Sequence, residues 1–235
     1  MTSQFSQLIF MPVVGYLVGS IPTAYLAGKW IKGIDLREFG SGTVSASMVW
    51  EHVAKWALFP VGIFDILKGA IPVWISLALN FPIQNAALVG LFAVLGHNWP
   101  IYLKFHGGRG LSPFLGILFV LFPYGFLLMV IALGIGFVLD ISAPLILIIL
   151  GVLPVLSDHL NGPSVTLFLS LGMLVITAIK RLEANQRPFP KEKKACLRVI
   201  FFRLFFDRDI MDHQAWLHRS PANQTPDKDD KETCS

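Results

Sequence analysis

Two short stretches of this chain place glycines beside cations. Glu38-Phe39-Gly40-Ser41-Gly42-Thr43 follows Arg37, and Lys104-Phe105-His106-Gly107-Gly108-Arg109-Gly110 runs into Leu111-Ser112-Pro113. Glycine lets successive backbone N–H groups converge into a concavity that holds anions. Arg37 is close enough to the first loop to add a bidentate phosphate contact, and Ser41 or Thr43 is placed to cap the helix that comes next. In the second stretch, Ser112 reads as an N-cap and Pro113 as a first helical residue. That loop, with Lys104 and Arg109, therefore feeds a helix N-terminus, which favours anions. The chemistry these types and spacings suit is phosphate handling. Each loop also has a plainer reading. The first is an ordinary flexible turn, and the second is a basic topology anchor whose glycines allow tight packing.

Three further groups stand inside or beside apolar runs. Asp65 and Lys68 are three residues apart and so share a helix face. Ionisable residues within a span are costly and are functional or paired, so this pair is either part of a site or a mutual lock between helices. His97-Asn98 precedes Trp99-Pro100 at the end of another run, as a polar helix end or the edge of a site. Gly19-Ser20-Ile21-Pro22-Thr23 interrupts the first run: small residues permit close helix contact, and Pro22 frees backbone carbonyls. Asp140, Asp158 and His159 read as surface residues on loops.

The elements that must position these groups are membrane helices. Only 14% of residues are charged, against about 25% in soluble domains, and the mean hydropathy is +0.63. Apolar runs cover Leu8 to Ala27, Trp56 to Leu79, Pro113 to Leu139, Ile141 to Leu156 and Val165 to Ile179. A span needs roughly 20 apolar residues, and backbone in lipid must satisfy itself, which selects helices; the alternation of a barrel is missing. No Lys or Arg lies between Arg109 and Lys180, and 12 of the 19 are found from Lys180 onward. Basic islands stay cytoplasmic. With the three islands of cations, Lys29 to Arg37, Lys104 to Arg109 and everything from Lys180 onward, all inside, parity predicts an all-α, polytopic protein of seven transmembrane helices, N-terminus out and C-terminus in. The segment after Arg109 is too short to cross alone, so it is expected as a tilted or partly re-entrant helix buried among others. Fusing it with its successor gives six helices and an external basic tail, which the charge rule disfavours.

The chain divides into a membrane domain, residues 1–185, a basic and aromatic tail, residues 186–219, and a polar end, residues 220–235, expected to be disordered. The tail's charges from Lys193 to Phe206 do not fall on one clean helical face, so an interfacial helix is a weak signal there. The N-terminus lacks the basic region of a cleaved signal. Cys196 and Cys234 suggest no disulfide framework. The tail's charge reads as topology plus attraction to anionic lipid; no nucleic-acid motif accompanies it.

In order along the chain, Gly19-Ser20-Ile21-Pro22, Asp35-Leu36-Arg37, Gly40-Ser41-Gly42 and Phe64-Asp65-Ile66-Leu67-Lys68-Gly69 are succeeded by Gly96-His97-Asn98-Trp99-Pro100, Lys104 to Gly110 and Ile179-Lys180-Arg181-Leu182. This series resembles the bacterial membrane acyltransferases that transfer an acyl group from acyl phosphate to glycerol 3-phosphate, over about the first 185 residues. The resemblance implies seven helices with cytosolic loops, a multi-pass protein of the inner (plasma) membrane with its site on the cytoplasmic side, and formation of 1-acyl-glycerol 3-phosphate (lysophosphatidic acid) for phospholipid synthesis. It implies acyl phosphate, glycerol 3-phosphate and membrane lipid as partners, with no cofactor, no metal, no nucleic acid and no covalent acyl-enzyme. Arg37, Ser41, Gly42, Lys104, Gly107, Gly108 and Arg109 would bind substrate phosphates. Ser20, Asp65, Lys68, His97, Asn98 and Arg181 would line the site or support it, and no catalytic residue is singled out.

The chain is a divergent match. The family's first loop usually continues G-S-G-N-x-G-A-T-N, whereas here Gly42 precedes Thr43-Val44-Ser45-Ala46-Ser47-Met48, without either asparagine. The family's third motif has His and Asn shortly before I-x-R-L, and here Val175-Ile176-Thr177-Ala178 carries neither. The competing readings are a non-catalytic lipid- or phosphate-binding paralogue and, third, a transporter. A transporter predicts an internal repeat and polar breaks in both halves, and no repeat is visible.

Overall fold

The computed structural model describes residues 2–39, 42–184, 188–210 and Trp216, with side chains from Phe10 onward. Among these residues every regular element is helical. α1 (Thr2–Gly19) stops at the Gly19 to Pro22 break, and α2 (Thr23–Ala27) continues it through a π-helical turn, Gly28–Lys32. A 3-10 turn at Leu36–Glu38 and the short α3 (Ala46–His52) form the first connection. Then come α4 (Leu58–Ala78), α5 (Ile83–Asn98), α6 (Leu111–Leu121), α7 (Pro123–Leu139), α8 (Ser142–His159), α9 (Thr166–Glu183) and α10 (Lys193–Phe206). Polar residues and prolines interrupt the apolar sequence at Asn80 to Pro82, at Pro123, near Asp140 and at Asp158 to Pro163, and each interruption separates two helices, although Asp158 and His159 end α8 rather than lying in its loop. Asp140 turns left-handed at the end of α7.

Among the described residues, four segments are long and apolar enough to cross a membrane: Phe10–Lys32, Lys55–Ala78, Ile83–Leu103 and Ser142–His159. Apolar side chains such as Phe59, Trp74, Phe137, Val138, Ile148 and Val155 face outward, the arrangement lipid stabilises. With 11 residues, α6 is only ~17 Å long, about half the hydrocarbon thickness. It packs against α4, α5 and α7, and Phe114, Ile117 and Leu118 are fully buried. This is the enclosed short helix expected after Arg109.

Close backbone approach sets the helix pairs. A side chain at Gly19 would strike the Ala93 carbonyl of α5, and one at Gly96 the Tyr16 carbonyl of α1. Gly69 of α4 and Gly116 of α6 meet each other's helices in the same way, at Pro113 and Ile66. In lipid, where burial alone does not drive association, small residues let helices pack closely.

The polar islands meet at one end of the bundle. Val44 N–H donates to the Gly107 carbonyl at 3.2 Å, Arg109 to the Lys180 carbonyl at 3.1 Å, and Arg208 to Asp140 at 3.2 Å. The chain therefore leaves this end in α6, returns in α7, and comes back again at the end of α9. α10 is docked here. Arg181 donates to the carbonyls of Leu204 at 2.6 Å and Ala143 at 2.9 Å. Arg203, 2% exposed, binds Asp209 at 2.6 Å and the Leu182 carbonyl at 2.9 Å. The polar end, residues 220–235, lies outside the described residues.

Candidate active-site cleft

The break between α1 and α2 builds one wall of a cleft. Ser20, fully buried, turns its hydroxyl back to the Tyr16 carbonyl at 2.8 Å. Pro22 has no N–H to donate, and the Ile21 carbonyl faces α4. There Lys68 Nζ donates to it at 2.6 Å and pairs with Asp65 Oδ1, also at 2.6 Å. Thr23 donates its hydroxyl to the same carboxylate oxygen and lies 3.4 Å from Lys68 Nζ. From α5, His97 Nδ1 lies 3.5 Å from Lys68 Nζ and 3.7 Å from Asp65 Oδ1. Asp65, Lys68 and His97 are all more than nine-tenths buried. A buried ion pair is tolerated only when its remaining valences are filled, and the broken helix supplies the hydroxyl and the carbonyl that fill them. The Asp65–Lys68 pair is thus the mutual lock and also part of a four-residue cluster spanning three elements.

Lys68 and His97 face a cleft with about 210 Å³ of open space. Gly19, Ser20, Pro22, Val44, Leu103 and Gly107 contribute its other walls. The second glycine loop closes onto His97: Gly108 N–H donates to the His97 carbonyl at 3.1 Å. A Cβ at Gly108 would overlap the His97 ring, and one at Gly107 would stand 2.7 Å from the Asn98 carbonyl. These glycines are therefore required for close approach. The loop ends on Gly110 in a left-handed turn, φ +76°. Gly110, not Ser112, occupies the N-cap of α6, and Ser112 falls inside the first turn. A left-handed residue turns the chain sharply into the helix, which Ser112 is placed too late to do. Likewise α3 starts after Ser45, so Thr43 does not cap it.

Asn98 is wholly buried beside Gly110, and neither of its amide atoms has a hydrogen-bond partner. Buried polar groups are ordinarily satisfied by protein, water or ligand. Trp99 and α9 make a neighbouring cluster: Trp99 Nε1 donates to Glu183 at 2.8 Å, and Lys180 binds Glu183 at 3.1 Å while lying 5.1 Å over the Trp99 ring.

The remaining candidates are spread around this cleft. Arg37 grips Asp35 through Nε at 3.0 Å and Nη2 at 2.7 Å and lies 5.3 Å over the Tyr25 ring. That hydrogen bond holds the Asp35 carboxyl below its ordinary pKa and raises that of Arg37. Gly42 turns left-handed, φ +70°, two residues before Val44 in the cleft wall. Ser41 lies outside the described residues. Lys104 is exposed, in a left-handed turn directly after Leu103. Arg109 points to α9 and the tail, with Nε 2.9 Å from Asp207. Arg181 holds α8 and α10 and does not line the cleft. The structure thus brings together Ser20, Asp65, Lys68, His97 and Gly107, while Arg37 and Arg109 carry acidic partners. Thr23 was not separable from its helix break by sequence; its signal was a hydroxyl directly after the proline. Among the described residues no cluster of three His, Cys, Asp or Glu is placed to hold a metal.

Comparison with known proteins agrees with this architecture. Residues 9–187 match the glycerol-3-phosphate acyltransferase family. Glycerol-3-phosphate acyltransferase 5 of Dehalococcoides mccartyi is 36% identical over 93% of this chain and 97% of its own length. Glycerol-3-phosphate acyltransferase 4 of strain CBDB1 of that species is 37% identical over 92% and 94%. The crystal structure of PlsY (YgiH), an integral membrane glycerol 3-phosphate acyltransferase, in its glycerol 3-phosphate form, superposes with a TM-score of 0.65 at 29% identity, over 77% of this chain and 91% of that one. Its lysophosphatidic acid form gives 0.64 at 28%. With residues 9–187 matched by the family and relatives 36% and 37% identical over more than nine-tenths of both chains, this chain belongs to the glycerol-3-phosphate acyltransferase family.

Proposed function

We propose that the chain transfers an acyl group from acyl phosphate to the sn-1 hydroxyl of glycerol 3-phosphate, releasing lysophosphatidic acid and phosphate. The observation that carries this reading is the junction of the Lys68–Asp65–His97 cluster with Ser20 and Gly107 in one cleft, at the end of the bundle where the cationic loops gather. The hydroxyl oxygen attacks the acyl carbonyl, the bond from that carbon to the phosphate oxygen breaks, and the hydroxyl proton passes to substrate phosphate. No protein nucleophile is needed. The chain's contribution is positioning and charge stabilisation. Arg37, Lys104 and Arg109, with Ser41, Gly42, Gly107 and Gly108, hold the two phosphates, and Arg109 exchanges Asp207 for phosphate as it does so. Ser20, Lys68, His97 and Asn98 line the site, and Asp65 orients Lys68. Arg181 acts as a support.

We further place the protein in the plasma membrane with seven crossings, N-terminus out and C-terminus in, and the cleft toward the cytoplasm. The support is the clustering of cations at one end of the bundle together with the positive-inside rule. We also propose the domain division at residue 185; the end of α9 at Glu183 supports it.

The test is phosphate release from a long-chain acyl phosphate, with and without glycerol 3-phosphate, by the purified protein in lipid. Release depends on glycerol 3-phosphate. Lys104→Ala and Arg37→Ala each cut it roughly 10–100-fold, the worth of one charge-assisted hydrogen bond. Release that ignores both substitutions, or that needs no glycerol 3-phosphate, overturns the assignment.

A further inference from the structure

The tail helix α10 shows two faces that the sequence runs together. Its inner face carries Arg203, whose guanidinium binds Asp209 and the Leu182 carbonyl and lies 4.5 Å over the Phe189 ring. Its outer face carries Leu197, Phe201 and Phe205, spaced four residues apart and 58%, 50% and 45% exposed. The Phe201 and Phe205 rings stack with centroids 4.8 Å apart. Lys194 and Arg198 share that outer face, and Lys191 and Lys193 are exposed at its N-terminal end. With 14 residues, α10 is ~21 Å long, too short to cross a bilayer of roughly 30 Å.

We infer that the outer face of α10 is a membrane-docking surface that lies in the interface and selects anionic lipid. Three observations commit it to this occupant. The helix is fixed at an end of the transmembrane bundle, by Arg181 at the end of α9 and by Arg208 on Asp140 between α7 and α8. An apolar stripe with cations at its border is the pattern that sits at the boundary of headgroup and acyl chain. The border cations are Lys193, Lys194 and Arg198, complementary to anionic headgroups, and each contributes roughly five-fold to binding near such a surface, ~1 kcal/mol. The seat of α10 reaches the second glycine loop directly, because Asp207 comes just after the helix and pairs with Arg109. This inference rests on the multi-pass reading and not on acyl transfer.

The test uses the full chain with Cys196→Ser and Cys234→Ser, a nitroxide on Phe201→Cys, and nanodiscs of phosphatidylcholine alone or mixed with phosphatidylglycerol. Collision with oxygen, which concentrates in lipid, is compared with collision with a water-soluble nickel chelate. The expected result is oxygen access above nickel access, with the ratio rising severalfold when phosphatidylglycerol is present. Replacing Lys193, Lys194 and Arg198 by Gln removes that rise. A label at Phe205→Cys repeats the measurement independently. A nickel-accessible label in both lipids places the face in water and overturns the inference. A label shielded from both reagents means that protein covers the face, and a ratio indifferent to lipid charge removes the anionic selection; either result also overturns it.

Discussion

Replacing Asp65 by Asn removes a charge without removing volume, and the geometry sets the cost. At 2.6 Å the attraction to Lys68 is ~6 kcal/mol for an effective dielectric of about 20. Lys68 keeps the Ile21 carbonyl at 2.6 Å, so part of that loss is recovered. The expected destabilisation is ~3–5 kcal/mol, the cost of leaving one buried charge without its partner. For a chain of this size that lowers Tm by roughly 10 °C, read from tryptophan fluorescence during heating in detergent. Lys68→Met has a similar cost. The double variant Asp65→Asn/Lys68→Met removes both charges and returns to within ~2 kcal/mol of the parent, since a neutral pair of similar size is no worse than a buried ion pair. Phosphate release separates lock from site: it stays lost in the stable double variant, because the cleft no longer has its cation. If Asp65→Asn alone leaves Tm unchanged, the pair is hydrated and the burial argument fails. If the double variant regains both stability and turnover, the cluster is only a lock and the chemistry lies elsewhere.

Two other perturbations probe the loops. Gly108→Ala drives a methyl into the His97 ring and should abolish turnover, whereas Gly62→Ala in α4, with nothing within 4 Å of the added carbon, should keep full turnover and gain up to ~1 kcal/mol of helix stability; equal activity in the two would show that the loop is not held against His97. Asp35, whose pKa is depressed below 3.8 chiefly by its hydrogen bond from Arg37, contributes stability that is complete above that value and lost as pH falls through the lower folded one. Hydrogen-exchange protection over residues 33–39, corrected for the intrinsic rate, should hold down to pH 3.8 and weaken as pH falls further, and Arg37→Gln should shrink that pH-dependent loss; weakening of the parent that begins at higher pH contradicts the pairing.

The helices were legible because lipid imposes long apolar runs, and the joints because Pro, Asn and Asp punctuate them. Pro82 and Pro123 stand at the starts of α5 and α7 for reasons a single sequence carries, a missing N–H and a fixed φ. The burial of α6 was legible too, since a short helix cannot cross alone. The site was legible only in its parts. Asp65 and Lys68 share a face by spacing, but their other partners lie 29 to 47 residues away at His97, Thr23 and Ile21, and no local pattern links them. Arg109 was legible as a cation beside glycines. Its present partner, Asp207, lies in a tail that periodicity did not fold.

That tail explains why its helix looked patternless. Arg203 lies opposite the Leu197–Phe201–Phe205 stripe and spoils any two-faced reading of the charge. It is buried only because the α9 end and Asp209 receive it. The same contacts bear on the missing His and Asn of the third motif. Arg181, which survives from that motif, is spent on Leu204 and Ala143, and its neighbour Lys180 on Glu183, whereas the described polar groups of the cleft come from α2, α4, α5 and the loops. Of the two departures from the family pattern, one therefore falls in α9, the element that anchors α10, and the other in the first loop at Thr43 to Met48, where Val44 stands in the cleft wall. The cleft, built from other helices, keeps Ser20, Asp65, Lys68, His97 and Gly107 gathered in one place, so losing the α9 base and amide does not dismantle it.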